Sequence, residues 1–397
     1  MEDDCRSSLR DNITKSYVLM GALGSLLIIP VVVPFLEQNG LTLRQIFFLQ
    51  AIFGFTLMVL EIPSGYLSDR WGRKKTIIAG SLSLFLGILV YALSGGFHGF
   101  LLAEFLMAVG VSFHSGTIEA FTYDTLLELG ESDTYRAVHG HQDFVQFSME
   151  GIASVVAGFI AVTGLRATAW ATLVPLGIGC IVACTLTEPQ RHKMHEKRHF
   201  RAMWRICAET LRDRRLRGVI LLHGILSTMT LLLFWFTQPF ELRSAVPIAF
   251  FGIVHAVICL AGAAAGKTTH SVSRVIGDKI FLILIAAAVI GSAAVLGFIT
   301  AIWGLAFFIL ARIAWGFLSP VSNDLVNRMT SSDIRATALS VQSFFFRLFF
   351  FLAAPFIGDI GDVHGISTGM LVIAIAGTIC VGLTLFSMRT VWAKIPK

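Results

Sequence analysis

Ionisable side chains within long apolar stretches are the residues of this sequence most able to do chemistry. In the first half of the chain they are mainly carboxylates: Glu61, Glu104, His114, Glu119, Asp124, Asp143 and Glu150. In the second half they are two arginines, one carboxylate and two histidines: Arg312, Arg347, Asp324, His223 and His255. A charged group inside a membrane costs about 2.5–3.5 kcal/mol, so each requires a partner or a water-filled cavity.

This asymmetry predicts that the ionisable groups of the two halves have different chemical roles. Carboxylates and histidines inside membranes form proton relays. The candidates for proton coupling are Glu150, Glu61, Glu104, Glu119 and His114. Arginine forms bidentate contacts with carboxylates, which suits it to an anionic solute. The candidates for substrate binding are Arg312, Arg347, Glu150 and His114.

Other interpretations of the same charges stay open. The charges could pair with one another as gates that break and reform, or hold helices together within one half. His114 could equally be a neutral, hydrogen-bonded packing residue. His139, His141 and Asp143 are closely spaced, but they lack a fourth ligand, so we expect no metal site.

Several classes of function are excluded by what the sequence lacks. The six cysteines form no C-x-x-C pair and fit a packing role. The sequence contains no G-x-x-x-x-G-K-[ST] loop and no catalytic constellation, so we expect neither an ATP-driven pump nor an enzyme. We expect no bound cofactor, with the proton gradient as the energy source.

The composition requires a membrane. Hydrophobic residues make up 55% of the chain, and the mean hydropathy is +0.76. A helix needs about 20 apolar residues to span the hydrocarbon core. Windows of that length predict an all-α protein with twelve spans, at 16–36, 43–64, 76–95, 99–125, 137–162, 167–187, 218–239, 246–268, 279–298, 301–325, 335–359 and 366–387.

The basic residues predict the orientation of these spans. If both termini are cytoplasmic, the outside loops hold only Arg44, Arg166 and Arg243 of the 31 Lys and Arg residues. Arg312 and Arg347 lie within spans, and the rest fall inside. We therefore expect a multi-pass protein of the plasma membrane, a bacterial inner membrane, with the first apolar run retained. Orientation explains the net charge of +6 better than nucleic-acid binding does.

A long polar segment at 188–217 separates six spans at 1–187 from six at 218–397. The halves carry an internal repeat, since Ser-Asp followed by Arg-Ala occurs at 132–137 and again at 332–336. This predicts two pseudo-symmetric six-helix bundles. Within the linker, 202–216 could form an amphipathic helix that contacts membrane lipids, or the linker could be a solvated connection.

Residues 65–75 read Gly-Tyr-Leu-Ser-Asp-Arg-Trp-Gly-Arg-Lys-Lys between the second and third predicted spans. This segment resembles the cytoplasmic loop signature of the major facilitator superfamily. The resemblance implies two bundles that work by alternating access, as a single chain. It also implies a gating role for Gly65, Asp69, Arg70, Gly72, Arg73, Asp124 and Arg335. In that scheme the two glycines form a tight turn, Asp69 meets the start of the eleventh helix and Arg73 pairs with Asp124.

Two further segments resemble the branch of twelve-span efflux proteins related to drug:proton antiporters. They are residues 61–65, Glu-Ile-Pro-Ser-Gly, and Ser115-Gly116 followed by Tyr123-Asp124. That branch carries a proline in a glycine-rich signature of the fifth span, whereas residues 151–158 contain none. The apolar run of the first span also lacks an acid.

Together these features predict proton-coupled export of a small anionic or zwitterionic molecule, such as a siderophore-like carboxylate. The alternatives are a multidrug efflux antiporter, a proton symporter for uptake, or a membrane sensor that transports nothing.

Overall fold

The computed structural model describes residues 2–190 and 212–389, and within these ranges the regular elements are helices. Twelve described segments are long and apolar enough to cross a membrane, and we number them span 1 to span 12: Ser7–Gln38, Leu43–Glu61, Arg73–Leu93, Phe97–Leu129, Ser132–Ala161, Leu165–Thr185, Arg214–Arg243, Ile248–Ile276, Asp278–Phe298, Ile302–Met329, Thr337–His364 and Ile366–Met388. The predicted all-α, twelve-span fold is confirmed. Most of the predicted linker and of the amphipathic helix at 202–216 lies outside the described residues.

The α-helices are Glu2–Gly24, Val32–Gln38, Leu43–Trp71, Arg73–Leu93, Phe97–His114, Thr117–Leu129, Tyr135–Ala161, Leu165–Thr185, Arg214–Arg243, Phe251–Ile276, Asp278–Phe298, Leu305–Met329, Ser332–His364 and Ile366–Met388. Short 3₁₀ turns lie at Ile29–Val31, Ser132–Thr134, Ile248–Phe250 and Ile302–Gly304. Several helices continue past their predicted apolar windows. A helix stays intact where its side chains turn polar, so hydropathy does not mark its end.

Two spans are interrupted inside their apolar length. Span 1 breaks after Gly24 and resumes as an α-helix at Val32, and Pro30 lies in the 3₁₀ turn within this break. Span 4 breaks at Ser115 and Gly116, where Gly116 has a φ of 71°. Broken helices free backbone groups, and within membranes they occur where protein or a water-filled cavity satisfies them.

The chain forms two compact units. The first comprises Met1–Leu41, Ile52–Met194 and Pro247–Ala256, and the second comprises Thr42–Ala51, His195–Val246 and Val257–Lys397. The helix Leu43–Trp71 therefore begins in the second unit, and the helix Phe251–Ile276 begins in the first.

Within the first unit, span 3 packs on spans 4 and 6, and span 1 packs on span 5. A buried glutamine joins three of these helices. Gln142 of span 5 donates to Ser16 of span 1 at 2.8 Å and to Thr122 of span 4 at 2.9 Å. These bonds fix the relative rotation of the three helices because a buried amide requires its partners.

Within the second unit, span 7 packs on spans 10, 11 and 12. The start of span 2 is held there by an acid of span 11. The backbone N–H groups of Leu43 and Arg44 donate to the two oxygens of Asp362, each at 2.8 Å. A carboxylate at a helix N-terminus satisfies free N–H groups and interacts favourably with the helix dipole.

Asp213 begins span 7 as its N-cap, and its side chain accepts a hydrogen bond from the N–H of Arg215 at 2.8 Å. Partial burial raises the pKa of this carboxyl, but the hydrogen bonds and charge of Arg215 outweigh burial and lower the pKa overall. Its contribution to stability is therefore present at neutral pH and is lost as the pH falls through the folded pKa.

Two glycines allow span 5 and the start of span 8 to touch within the first unit. A Cβ atom at Gly252 would lie 1.7 Å from the carbonyl oxygen of Ser154, and one at Gly158 would lie 2.3 Å from that of Ala249. No side chain fits at such distances, so the backbones of the two helices are in direct contact.

Replacing Gly252 with alanine should therefore destabilise the protein by about 1–3 kcal/mol, because the new methyl group forces the helices apart. The measurement is the thermal unfolding midpoint of the detergent-solubilised protein. Gly382→Ala is the matched control. A Cβ there meets nothing within 4 Å, so it should raise stability by about 0.5–1 kcal/mol. Equal midpoints for the two variants would contradict the close crossing.

Candidate functional site

The charged segment at 65–75 is not a hairpin loop but an almost continuous pair of helices. One helix ends at Trp71, the next begins at Arg73, and Gly72 between them has a φ of 117°. That conformation favours glycine. Gly65, which we expected in the turn, lies inside the first helix, and a Cβ there would meet nothing within 4 Å.

Arg73 is the centre of a polar network at this junction. Its guanidinium lies 2.7 Å from Asp69 and 3.4 Å from Asp124, the pairing that the resemblance implies. It also donates to the hydroxyl of Ser68 at 2.9 Å. Arg73 is half-buried, whereas Asp69 and Arg70 are exposed. The network therefore ties the end of span 4 to the junction between spans 2 and 3.

Glu188, which follows the end of span 6 in the chain, completes this network. The sequence alone does not single out this residue. Its two carboxylate oxygens accept from the backbone N–H groups of Arg73 at 2.8 Å and Lys74 at 2.7 Å. The segment around it is held to span 1, because Thr187 and Asn12 exchange two hydrogen bonds. An acid directly after a span was the available signal, but its partner lies more than a hundred residues away.

The second unit carries a counterpart with the charges reversed. Asp278 opens span 9, at the position that Arg73 has in span 3, and it pairs with Arg328 near the end of span 10. Arg328 also lies 2.7 Å from Asp324. Arg335, a predicted gating residue, donates to the carbonyl oxygen of Asn327 at 3.3 Å.

Glu150 of span 5 and His255 of span 8 form an acid–imidazole pair within the first unit. The His255 Nε2 lies 3.9 Å from a Glu150 oxygen, His255 is buried, and Glu150 is half-buried. The crossing at Gly158 and Gly252 brings these two side chains together. We had noted His255 as an ionisable residue in a span, but the sequence gave no partner for it.

Three other candidates have quite different surroundings. Glu104 is buried within the first unit and accepts a hydrogen bond from Tyr91. His114 is also buried, with its Nε2 3.1 Å from the Ser81 hydroxyl and 3.2 Å from the Ile77 carbonyl oxygen. This is the packing arrangement that we left open for His114. Glu61 is exposed at the end of span 2.

Glu119 lies in the first turn of the helix that follows the break in span 4. It is half-buried, and its Oε2 atom is buried with no hydrogen-bond partner in the described part of the chain. Tyr123, on the same helix, contacts Tyr135 of span 5 edge to face, with ring centroids 5.4 Å apart. His139 stacks on Tyr135, and His141 contacts Tyr17 instead.

Arg312 lies against aromatic rings in the second unit. Its guanidinium carbon is 4.4 Å from the centre of the Trp315 ring and 6.0 Å from that of Phe234. The Nε atom is buried and has no hydrogen-bond partner within residues 2–190 and 212–389. Arg347 is half-buried on span 11 and interacts with other groups of the protein. A cation held by ring faces keeps donors available for an anion.

Twelve apolar spans, two of them interrupted, define a multi-pass membrane protein. The family model described as Major Facilitator Superfamily matches residues 16–354. The chain therefore belongs to the major facilitator superfamily, whose members are secondary transporters and not enzymes.

Two relatives illustrate how far the similarity reaches. Multidrug resistance protein 2 of Bacillus subtilis is 28% identical over 186 residues, which is 45% of either chain. An uncharacterized transporter of Buchnera aphidicola is 28% identical over 149 residues, covering 36% of this chain and 35% of the relative. The matches span less than half of the length of either relative.

Solved structures share the fold over nearly the whole chain. The nucleoside transporter NupG aligns with a TM-score of 0.75 at 13% identity, covering 97% of this chain and 99% of that one. A D-xylose-proton symporter aligns with a TM-score of 0.71 at 14% identity, covering 96% and 97%. At such identities these likenesses show the fold alone.

Removing the Glu188 carboxylate, which accepts hydrogen bonds from the backbone of Arg73 and Lys74, should destabilise the start of span 3. Glu188→Ala leaves two backbone N–H groups without their partner and should cost about 0.5–2 kcal/mol, as for a lost N-cap. Glu188→Gln keeps one acceptor oxygen, so its thermal unfolding midpoint should lie between those of the wild type and Glu188→Ala. If Glu188→Ala has the same unfolding midpoint as the wild type, Glu188 does not stabilise this junction.

Proposed function

We propose that this protein exports a small anionic or zwitterionic organic molecule in exchange for protons, with a siderophore-like carboxylate as the favoured class. The protein would be a monomer in the plasma membrane, a bacterial inner membrane, with both termini cytoplasmic. It would use the proton gradient with no bound cofactor. The observation that carries the proposal is the Glu150–His255 pair at membrane depth.

The chemistry of this pair suits proton transfer. A carboxylate and an imidazole in contact share a proton in two ways, either as an ion pair or as two neutral groups. Substrate charge nearby changes which form is favoured, and that dependence is the physical basis of coupling. The polar side chains Glu119 and Asp143, on the same unit, would supply a route toward the inner face.

Arg312 supports an anionic solute. Its ring contacts hold the side chain in place, and its buried Nε–H group has no acceptor among the residues that the structure describes. A buried donor without a partner is costly, so an incoming carboxylate oxygen would relieve that cost. The network around Arg73 and Asp69 would act as an inner gate that weakens and reforms during each cycle.

A multidrug efflux antiporter is the second candidate, because the Bacillus subtilis relative bears that name. Both candidate functions are export, and they differ in the charge of the transported molecule. Uptake by symport and a sensor without transport are the remaining outcomes that an experiment must separate.

The test begins with the purified chain in proteoliposomes and labelled citrate, glutamate and ethidium as anionic, zwitterionic and cationic probes. A gradient that is acid inside drives accumulation by an antiporter, and one that is acid outside drives it by a symporter. We expect citrate or glutamate to accumulate with the interior acid. Accumulation of ethidium alone would favour the multidrug candidate, and transport of none of the three probes would favour a sensor.

Comparing the exported metabolites of cells with and without the gene would then identify the natural substrate.

Glu150→Gln should uncouple transport from protons. We expect gradient-driven accumulation to fall at least about tenfold, a change of about 1.4 kcal/mol. Exchange of labelled for unlabelled solute without a gradient should stay near the wild-type rate. His255→Gln should behave similarly. Glu131→Gln, which changes an acid paired with Arg10 at the surface, is the control. Unchanged proton dependence in Glu150→Gln would remove this pair from the mechanism.

Arg312→Ala should weaken binding of the anionic probe about tenfold or more, because a charge-assisted hydrogen bond contributes about 1.5–3 kcal/mol. Arg312→Lys keeps the charge and should retain part of the affinity. The half-saturating concentration of citrate in exchange is the measurement. Arg274→Gln removes an exposed charge from the end of span 8 and serves as control. An equal effect of Arg274→Gln would show a general charge effect instead.

A further inference from the structure

Three side chains with metal-binding atoms meet where span 5 crosses the start of span 8. They are Glu150 of span 5 and, on the continuous helix Phe251–Ile276, His255 and Cys259. We call them the Glu–His–Cys cluster. A carboxylate oxygen, an imidazole nitrogen and the thiol sulfur all lie within 4.8 Å of one another. The cluster therefore places three different ligand atoms around one point.

The close crossing of the two helix backbones positions these donors. Residues three or four apart share one face of a helix. Two such rows face each other, and they are Glu150, Ser154 and Gly158 on span 5, and Gly252, His255 and Cys259 on span 8. A Cβ at Gly252 would lie 1.7 Å from the Ser154 carbonyl oxygen, so the backbones touch one turn away from the donors. Helices in direct contact hold the cluster, and no flexible loop contributes to it.

One donor of the cluster is buried and two are partly accessible. His255 is only 7% exposed, and its Nε2 atom lies 3.9 Å from the Glu150 carboxylate. Glu150 and Cys259 are each partly exposed. Packing therefore fixes the imidazole, while the carboxylate and the thiol leave a path by which an ion can enter.

The types of donor atom select the class of ion. Ca²⁺ and Mg²⁺ take about six or more oxygen ligands, whereas this cluster offers a single carboxylate. Thiolate and imidazole ligands suit Zn²⁺ and related transition-metal ions. A Zn²⁺ site with three protein ligands keeps its fourth position for water or another small ligand. The cluster matches such an open zinc site in the type and number of its ligands.

The distances fit a Zn²⁺ ion after small side-chain rotations. Bond lengths of about 2.0–2.1 Å to nitrogen and oxygen and about 2.3 Å to sulfur place tetrahedral ligand atoms about 3.3–3.6 Å apart. The 3.9 Å between His255 and Glu150, and the 4.8 Å limit for the whole cluster, exceed that spacing by about 1 Å. Rotation of the Glu150 and Cys259 side chains between staggered rotamers covers such a distance without moving the helices.

Charge balance favours a divalent ion between two membrane spans. A charge inside a membrane is costly unless an opposite charge compensates it. The Cys259 thiol loses its proton when it binds a metal, because the thiolate is the ligand. The Glu150 carboxylate and this thiolate then neutralise the two charges of Zn²⁺, and His255 binds as a neutral imidazole. The complete site carries no net charge.

We propose that Glu150, His255 and Cys259 bind Zn²⁺ as a three-ligand site with an open fourth position. Metal binding itself is independent of transport. One consequence rests on the proposed function, because Glu150 and His255 are also the proposed proton pair: bound Zn²⁺ occupies both groups and inhibits proton-driven accumulation. The sequence does not show this site, since the acid and the histidine lie far apart in the chain.

Absorption spectra with Co²⁺ test the donor set, using the full chain in lipid nanodiscs after removal of any purification tag. Co²⁺ replaces Zn²⁺ in such sites and, unlike Zn²⁺, absorbs visible light, and a bound thiolate adds a sulfur-to-metal charge-transfer band. We expect both the visible bands of a four-coordinate site and the charge-transfer band. Zn²⁺ should abolish both, and excess Ca²⁺ or Mg²⁺ should not. Absence of the charge-transfer band at saturating Co²⁺ would overturn the proposal.

Single variants assign the ligands. Cys259→Ser should remove the charge-transfer band. His255→Gln and Glu150→Gln should each weaken Zn²⁺ binding at least about tenfold in calorimetry, because loss of a ligand costs at least as much as loss of a group that orients one. Cys184→Ser changes an exposed thiol of span 6 and is the matched control, which should keep the spectrum. If Cys259→Ser does not fold, Cys259→Ala makes the same test. A charge-transfer band that persists in the folded Cys259 variant would overturn the proposal.

The linker histidines are the other source of Zn²⁺ binding that the test must separate. His192, His195 and His199 lie outside the described residues, and histidine is the commonest metal ligand. A variant with all three changed to glutamine should keep the Co²⁺ spectrum, with a Zn²⁺ affinity within about threefold of the wild type. Loss of the spectrum in that variant would assign the ion to the linker and overturn the proposal.

The metal site and the proposed transport fail separately. A protein that binds Zn²⁺ through Cys259 but moves no solute in vesicles contradicts the transport and supports the metal site. A protein that accumulates citrate in exchange for protons but lacks the charge-transfer band contradicts the metal site and supports the transport. Where both hold, Zn²⁺ should inhibit citrate accumulation, and Cys259→Ser should raise the half-inhibiting Zn²⁺ concentration about tenfold or more. Equal inhibition of the two proteins would show that Zn²⁺ inhibits at another place.

Discussion

Polar groups in hydrocarbon must be satisfied by the protein itself, and most of this structure follows from that constraint. The backbone solves it by forming helices across every described span. Deep side chains solve it by finding partners on neighbouring helices: Glu104 meets Tyr91, and His114 meets Ser81 and the backbone of span 3.

Backbone N–H groups at the start of a helix also need hydrogen-bond acceptors, and acids from distant parts of the chain supply them. Glu188 accepts from the first N–H groups of span 3, and Asp362 accepts from those of span 2. Each acid belongs to a segment far along the chain, so each contact joins two elements as well as capping one. The charge reversal between Arg73–Asp124 and Asp278–Arg328 shows that the duplicated units keep the pairing and not the residue types.

Much of this arrangement could be read from the sequence. Apolar windows gave twelve spans in the observed order, because hydrocarbon thickness fixes the length of a helix that must cross it. The motif at 65–75 indicated the family and pointed to Arg73 and Asp124. The breaks of spans 1 and 4 do not follow from hydropathy, since both breaks lie within apolar runs and membrane helices tolerate the glycines and prolines found there. Gly65 was misplaced because the motif alone does not say which of its two glycines leaves the helix.

The sequence by itself determined the fold class, the family and the types of ionisable residue available at membrane depth. These are local properties, fixed by the hydropathy and order of neighbouring residues. Only the tertiary structure decided which charges meet: Glu150 with His255, Glu188 with the start of span 3, and Asp278 with Arg328. Such pairs depend on how closely helices cross and how each is rotated, and packing between residues far apart in the chain sets both.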